Sequence, residues 1–496
     1  MFLQLDNQGP RYAQLTRALK QAILSGRCAP ATRLPATRTL ARDLDLSRNT
    51  VLAAYEQLAA EGFIEGRVGS GCYVSTFAAP VATASGAISF RPPVPSDVVA
   101  RKPARREPRI ARRGQRMREL YEVKIPGRQH RGLRYNLQYG MPMTNPQLAS
   151  AWRRELGHAA AHAATDYPDP QGLPALREQV CDYLARRRGI VAAPDDILIV
   201  SGTQQAFALA TEALLDEGDR VVIEDPHYQG ARQILQAAGA ELVGCPVDAD
   251  GMVVGELPER SAVRLALVTP SHQFPTGAVL SLSRRMELLA WAEQAGCWLI
   301  EDDYDGEFRY DARPLAALKS LDRAGQVIYI GTFSKVLFPA LRLGYMVLPQ
   351  QLRSTFVAAK WLTDRGCPAI EQAALARLMA SGAFERHLRA TSKALKTRRA
   401  ALLGALHKHA GDAVQVADSS AGMHVLAWLP KLRPAQVRDL IERASERGLG
   451  LYPIAPYYLR PQQRAGLLLG YADLPPADLD AAMRIFGDCL RAVSAA

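Results

Sequence analysis

Gln326-Val327-Ile328-Tyr329-Ile330-Gly331-Thr332-Phe333-Ser334-Lys335 is a short apolar run that ends on glycine, two hydroxyls and an amine. A run of this length closed by glycine predicts a buried strand. Lys335 then falls at its carboxyl edge, where open α/β sheets bind ligands. Taken alone, a lysine after a strand is an ordinary solvated charge. Outward from it the same rhythm repeats in Asp196–Gly202 (DILIVSG), Asp219–Pro226 (DRVVIEDP), Leu265–Pro270 (LALVTP), Cys297–Tyr304 (CWLIEDDY) and Arg342–Pro349 (RLGYMVLP). Helical patterns such as Leu173–Ile190 lie between these runs. Alternation of this kind predicts an α/β domain with a large, doubly wound, mostly parallel sheet. Long helices and two further strands after residue 372 predict a smaller C-terminal α+β subdomain.

Several strand ends carry polar side chains of one chemistry. Ile300-Glu301-Asp302-Asp303-Tyr304 supplies acids and a phenol, and Ser201-Gly202-Thr203-Gln204-Gln205 opens a helix whose amides can hold an anion. Arg342 adds a cation, and Asp225-Pro226-His227-Tyr228 adds a ring able to stack. Pyridoxal 5'-phosphate (PLP) asks for this set: a lysine to form an imine, a carboxylate to keep the pyridine nitrogen protonated, a phenol near the ring oxygen and a phosphate cradle. Glu301 and Asp303 read as strand-end charges that support the fold.

The amino-terminal region has another character. Leu15, Leu19, Ile23 and Leu24 form one stripe of a helix, LPATRTLARDL predicts a second short helix, and Asp45-Leu46 a turn. Ser47 is placed to cap the next helix, SRNTVLAAYEQLAAEG, and the glycine-rich stretch Gly62–Val74 predicts two strands around a tip. This is the geometry of a winged helix-turn-helix that reads double-stranded DNA.

The chain's net charge of +12 is mostly local: thirteen Lys/Arg against three Glu lie between Arg101 and Arg134. Such a tract adds phosphate contacts on DNA or is a solvated linker. The domains are expected at 1–76, the DNA-binding head, 77–132, a Pro/Arg-rich linker, and 133–496, the PLP-binding effector body. Seven scattered cysteines without a C-x-x-C pair suggest neither a zinc site nor a disulfide framework, so no metal is expected and a reducing cytoplasm fits. Neither a signal peptide nor an apolar run of membrane-spanning length is present in the sequence.

LPATRTLA, LSRNTVLAAYEQLAAEGFIE and GRVGSGCYV resemble the GntR family of winged helix-turn-helix regulators. That resemblance places Arg38, Arg48, Thr50, Arg67 and Gly69, with the turn residues Ser47 and Asn49, at the DNA interface. Arg48 is assigned to base edges, and Arg38 and Arg67 to phosphate or minor-groove contact. Ala31 stands where the family usually has glycine. The larger region, about 135–490, resembles fold-type I PLP enzymes of the class I aminotransferases. By that resemblance Lys335 carries the cofactor as a Schiff base, Asp302 pairs with the pyridine nitrogen, Tyr304 approaches the phenolic oxygen, and Tyr228 stacks. Gly202, Thr203, Gln204, Ser334 and Arg342 hold the phosphate. Tyr167 and Asp169-Pro170-Gln171-Gly172 match a stretch near the cofactor and dimer interface. The order of head and body is similar to the MocR subfamily of GntR regulators, which implies a homodimer.

Two replacements set this chain apart from catalytic aminotransferases. Phe274, in Ser271–Gly277, stands where an asparagine commonly bonds the PLP phenolic oxygen, and Leu468 stands where an arginine commonly clamps a substrate carboxylate. Arg460 or Arg464 in the preceding loop is the candidate substitute. These changes weaken the case for efficient transamination and leave imine formation intact. The expected function is a transcription regulator sensing PLP, or an amine or amino-acid-like effector, by imine exchange at Lys335; the alternative is an aminotransferase with an accessory DNA-binding head.

Overall fold

The computed structural model describes residues 3–67, 69–76, 108–122, 130, 132–143, 145–164, 166–259, 263–310, 315–419 and 421–495. They fall into two compact units, divided between Arg106 and Glu107.

In the smaller unit, helices Arg11–Leu24, Thr37–Asp43 and Arg48–Ala60 precede the antiparallel strands Ile64–Arg67 and Gly71–Val74. Leu15, Leu19 and Ile23 of the first helix pack with Leu40, Val51, Ala54, Tyr55 and Leu58 in one buried cluster, whereas Leu24, expected on the same stripe, is the helix's last residue and is exposed. Each fully buried Leu or Val side chain contributes about 1.5–3 kcal/mol, enough for so small a core to fix the angle between its helices. The Tyr55 hydroxyl donates to the Pro35 carbonyl at 2.8 Å and so ties the third helix to the entry of the second. Ala31 has φ +62°, the left-handed region that favours glycine.

The larger unit is built on an eight-stranded sheet. Its spatial order is Ile197–Val200, Gly344–Val347, Val327–Thr332, Trp298–Asp303, Val263–Val268, Arg220–Asp225, Glu241–Asp248 and Gly251–Met252. The five strands from Val327–Thr332 to Glu241–Asp248 pair in parallel; Gly344–Val347 runs antiparallel to both neighbours. Strands such as Val327–Thr332 are buried along their whole length, as sheets covered on both faces require. The carboxyl ends of the parallel strands converge on one edge, and that edge carries the polar motifs. The smaller sheet joins Gln415–Val416, His424–Trp428, Gly466–Gly470 and Tyr452–Pro453, all antiparallel, with the 28-residue helix Ala383–Ala410 before it.

Part of the span read as linker is a helix of the larger unit. Arg112–Glu122 lies against helix Gln229–Ala238: Arg116 bonds the Ala237 carbonyl and Glu217, Arg113 pairs with Glu212, and Gln233 donates to the Leu120 carbonyl. Some of the arginine tract is therefore engaged by acids of the body. The sequence signal was poor because this helix is mostly polar and its partners lie about a hundred residues away. The remainder of residues 77–132 lies largely outside the described residues.

Candidate functional site

A cavity of about 150 Å³ opens at the carboxyl edge of the large sheet. Among its walls are eight of the nine residues expected at the cofactor: Lys335, Asp302, Tyr304, Tyr228, Thr203, Gln204, Ser334 and Arg342. Gly202, the ninth, caps helix Thr203–Leu214 with φ +76°, and a Cβ there would come 3.0 Å from the Arg342 guanidinium. The glycine thus keeps a helix amino terminus and a guanidinium side by side. First-turn amides have no intrahelical partner, so together with Arg342 they form a cradle suited to a phosphate. Arg342 donates to the Ser201 carbonyl at 2.9 Å, and its own backbone is left-handed, φ +52°.

The Lys335 ammonium donates to the Gly140 carbonyl at 2.8 Å, and removal from solvent lowers its pKa, favouring the neutral, nucleophilic amine. Asp302 is buried and pushed up to about 8, first by desolvation and then by Asp303 and Asp305; its Oδ1 has no hydrogen-bond partner. An orphaned carboxyl oxygen inside a cavity is what a protonated ring nitrogen would satisfy. The residues present therefore fit PLP: Lys335 would meet the aldehyde, Asp302 the ring nitrogen and the Gly202–Arg342 cradle the phosphate.

Tyr304, expected to approach the cofactor's phenolic oxygen, also has protein partners. Its hydroxyl lies 2.8 Å from Nδ1 of His272, and that nitrogen donates to Asp305 at 2.9 Å, while Nε2 of His272 lies 3.1 Å from the Ser419 hydroxyl. The Tyr228 hydroxyl accepts from Gln204 at 3.1 Å, and the Phe274 ring stands edge-on to Tyr228 and Tyr304. Glu301 accepts the amides of Leu318 and Lys319 at 2.8 Å each, and Asp303 is bound by Tyr329 and Arg188, so both acids hold the frame beneath the site.

Sequence reading missed Tyr139, Gly140, Asp305, Met423 and His424 on the wall. Asp305 directly follows the Ile300–Tyr304 motif, while no motif marks the other four, which reach the cavity only through tertiary folding. His424 is fully enclosed and pushed down to about 4 by burial and by His272. Neither loop arginine substitutes for Leu468: Arg464 stacks on the Trp428 ring at 4.1 Å, Arg460 flanks a separate hollow beside Asp225, and neither lines this cavity. Tyr167 is 73% exposed, away from the wall, and Asp169 pairs with Arg177.

In the smaller unit, Ser47 caps the third helix: its hydroxyl accepts the Thr50 amide at 3.1 Å. Arg48 and Asn49 are exposed on the first turn beside the half-buried Thr50, and Arg38 is exposed on the second helix. Arg67 lies over the Tyr73 ring at 4.6 Å, and Gly69, φ +75°, sits at the hairpin tip. Among the described residues no cluster of side chains suits a metal, and no helix is long and apolar enough to cross a membrane.

Residues 136–483 match the family described as aminotransferase class I and II, and residues 11–74 the one described as bacterial regulatory proteins, gntR family. The probable rhizopine catabolism regulatory protein MocR of Rhizobium meliloti is 35% identical, covering 96% of this chain and 93% of its own. The HTH-type transcriptional regulator TauR of Rhodobacter capsulatus is 32% identical over 96% of both chains. Among solved structures, the α-aminoadipate aminotransferase LysN of Thermus thermophilus, complexed with N-(5'-phosphopyridoxyl)-L-leucine, is 27% identical with a TM-score of 0.69, covering 78% of this chain and 98% of its own. A winged head and an aminotransferase-like body thus occur here in the order shared by full-length relatives, and the chain belongs to the MocR-type regulators of the GntR family.

Proposed function

We propose that this transcription regulator holds PLP at Lys335 and changes its action on operator DNA when an amine-bearing effector, or PLP itself, occupies the cavity. The observation that carries the reading is the unpartnered Oδ1 of buried Asp302 in the same cavity as Lys335 and the Gly202–Arg342 cradle. Bound PLP supplies an aldehyde carbon that condenses with one primary amine at a time, so Lys335 and an effector amine compete for it.

The chain's own groups define what that competition entails. Desolvation keeps the Lys335 amine reactive, and the Gly140 carbonyl offers it an acceptor whenever it is free. Asp302 fixes the ring nitrogen, Tyr228 and Phe274 shape the walls, and the helix amino terminus with Arg342 anchors the phosphate. With phosphate and ring held at fixed points, an exchange at the lysine becomes a change in wall contacts, which can bias two conformations of the body. On the head, Arg48, Asn49 and Thr50 stand at the amino-terminal turn that enters the major groove, with Arg38, Arg67 and Gly69 flanking it. Exposed Tyr167, Trp361 and Leu362, linked by Arg365 across the two rings, support a homodimer with two heads, and the gntR-type head suits work on DNA in the cytoplasm.

The test pairs absorbance with footprinting. PLP-loaded protein should show a visible band that Lys335→Ala removes, and an added amine should alter a footprint upstream of its own or a neighbouring gene in wild type only. Transamination at ordinary enzymatic rates without any footprint would instead establish an aminotransferase whose head is accessory.

A further inference from the structure

The smaller sheet decides what kind of amine the cavity accepts. Its strands His424–Trp428 and Gly466–Gly470 pair in register, His424 opposite Gly470 and Leu426 opposite Leu468. Side chains alternate along a strand, so His424, Leu426 and Leu468 share one face. His424 lines the cavity. Leu468, fully buried on that face, packs in one cluster with Phe274, Leu426, Tyr452, Ile454 and Tyr457. Hydrocarbon therefore fills the position from which a cation on this strand would meet an effector.

The remaining charges point the same way. Arg342 is the only arginine on the wall among the described residues, and it stands at the phosphate end, against Gly202. The other ionisable wall groups near Lys335 include the carboxyls of Asp302 and Asp305. Nε2 of His424 faces the Pro275 carbonyl at 3.2 Å and so carries the ring proton, leaving Nδ1 as an acceptor on a neutral ring. A carboxylate entering here would lose its water beside two acids and meet no guanidinium in return.

We propose that the cavity selects primary amines that carry no carboxylate on the amine-bearing carbon. The inference rests on the reading that Lys335 holds PLP. An effector of this class places its amine at Lys335 and its uncharged body against Phe274, Met423 and the Tyr139 ring, with the His424 acceptor free for a hydroxyl or a second amine.

Matched pairs differing by one carboxylate test it: phenethylamine against phenylalanine, and putrescine against ornithine. Each is titrated into the full-length PLP-loaded protein while the visible band is followed, and half-saturating concentrations are corrected by the same ratio measured for free PLP. The amine is expected to act at a concentration at least tenfold below that of its amino acid in both pairs, and Leu468→Arg to shrink or reverse the preference. Equal potency, or preference for the amino acids in wild type, overturns the proposal whether or not the Leu468 variant folds. A band that neither member shifts overturns it too, while leaving the cofactor assignment standing. A band that survives Lys335→Ala brings down the cofactor assignment itself, and the proposal with it.

Discussion

The two units present opposite kinds of site. On the head, the candidate DNA-reading residues run from Arg38 to Gly69, mostly exposed and held by local structure: a serine cap, a short helix and a hairpin. In the body the cavity draws on residues from Tyr139 to His424, and its key acid is buried. Surface chemistry set by local geometry survives substitution of its neighbours, because each arginine stands on its own element: Arg38 and Arg48 on separate helices and Arg67 on a wing strand. Chemistry in a cavity is collective, since every wall residue changes the solvation and charge of the others. The head should thus respond to mutation residue by residue, and the body as a unit.

The largest effect expected from that contrast is a pH dependence. In protein stripped of cofactor, Asp302 keeps its proton up to about 8, whereas in the unfolded chain it ionises near 3.8. The folded state therefore binds more protons between those values, and raising the pH from about 4 to 8 favours unfolding. Asp302→Asn removes this term, so the variant should lose less stability than wild type between pH 5 and 8, by on the order of a few kcal/mol. All five tryptophans (Trp152, Trp291, Trp298, Trp361 and Trp428) lie in the larger unit, so their fluorescence follows that unit alone. Parallel pH curves for the two proteins would show that the acid is not held as described.

A smaller effect tests the head. Arg48→Ala should cost about 1–3 kcal/mol of operator discrimination in competition binding and leave the cofactor band unchanged. If the band moved as well, the two sites would not be separable in the way their geometry indicates. Smallest is Ala31→Gly. Relief of the left-handed alanine, set against the added freedom of the unfolded chain, should stabilise the head by about 0.5 kcal/mol, read from hydrogen exchange of its buried amides. A destabilised head would mean that the turn is not strained.

The same contrast explains what could be read in advance. Ser47, Arg48 and the wing were legible because their roles depend on neighbours within a few positions. Lys335 and Asp302 were legible because each lies at or just past the end of a parallel strand, and such ends share one edge; Arg342 was legible from its place seven residues beyond Lys335, just before strand Gly344–Val347. Ala31 was flagged by residue type, and its positive φ shows why glycine is usual at this place. Tyr139 and His424 were invisible, since only the packing of the smaller sheet and the segment after residue 132 brings them to the wall, whereas Asp305 directly follows the Ile300–Tyr304 motif and was passed over. The Arg112–Glu122 helix escaped for a related reason: its sequence lacks an apolar stripe, and its docking relies on ion pairs with Glu212 and Glu217. Arg460 and Arg464, adjacent in sequence to the expected clamp, were drawn instead to Asp225 and Trp428.

The bond from Lys335 to the Gly140 carbonyl has a consequence for how a signal could leave the site. Gly140 follows the helix Arg112–Glu122 that already belongs to the body, and a Cβ at this position would come 2.9 Å from the lysine Nζ. The amine proposed to report occupancy is thus one hydrogen bond from the backbone of the body's amino-terminal part. A lysine engaged elsewhere gives up that bond and a lysine set free regains it, so under the proposed function the message begins as a single tether tied or untied at the Gly140 backbone.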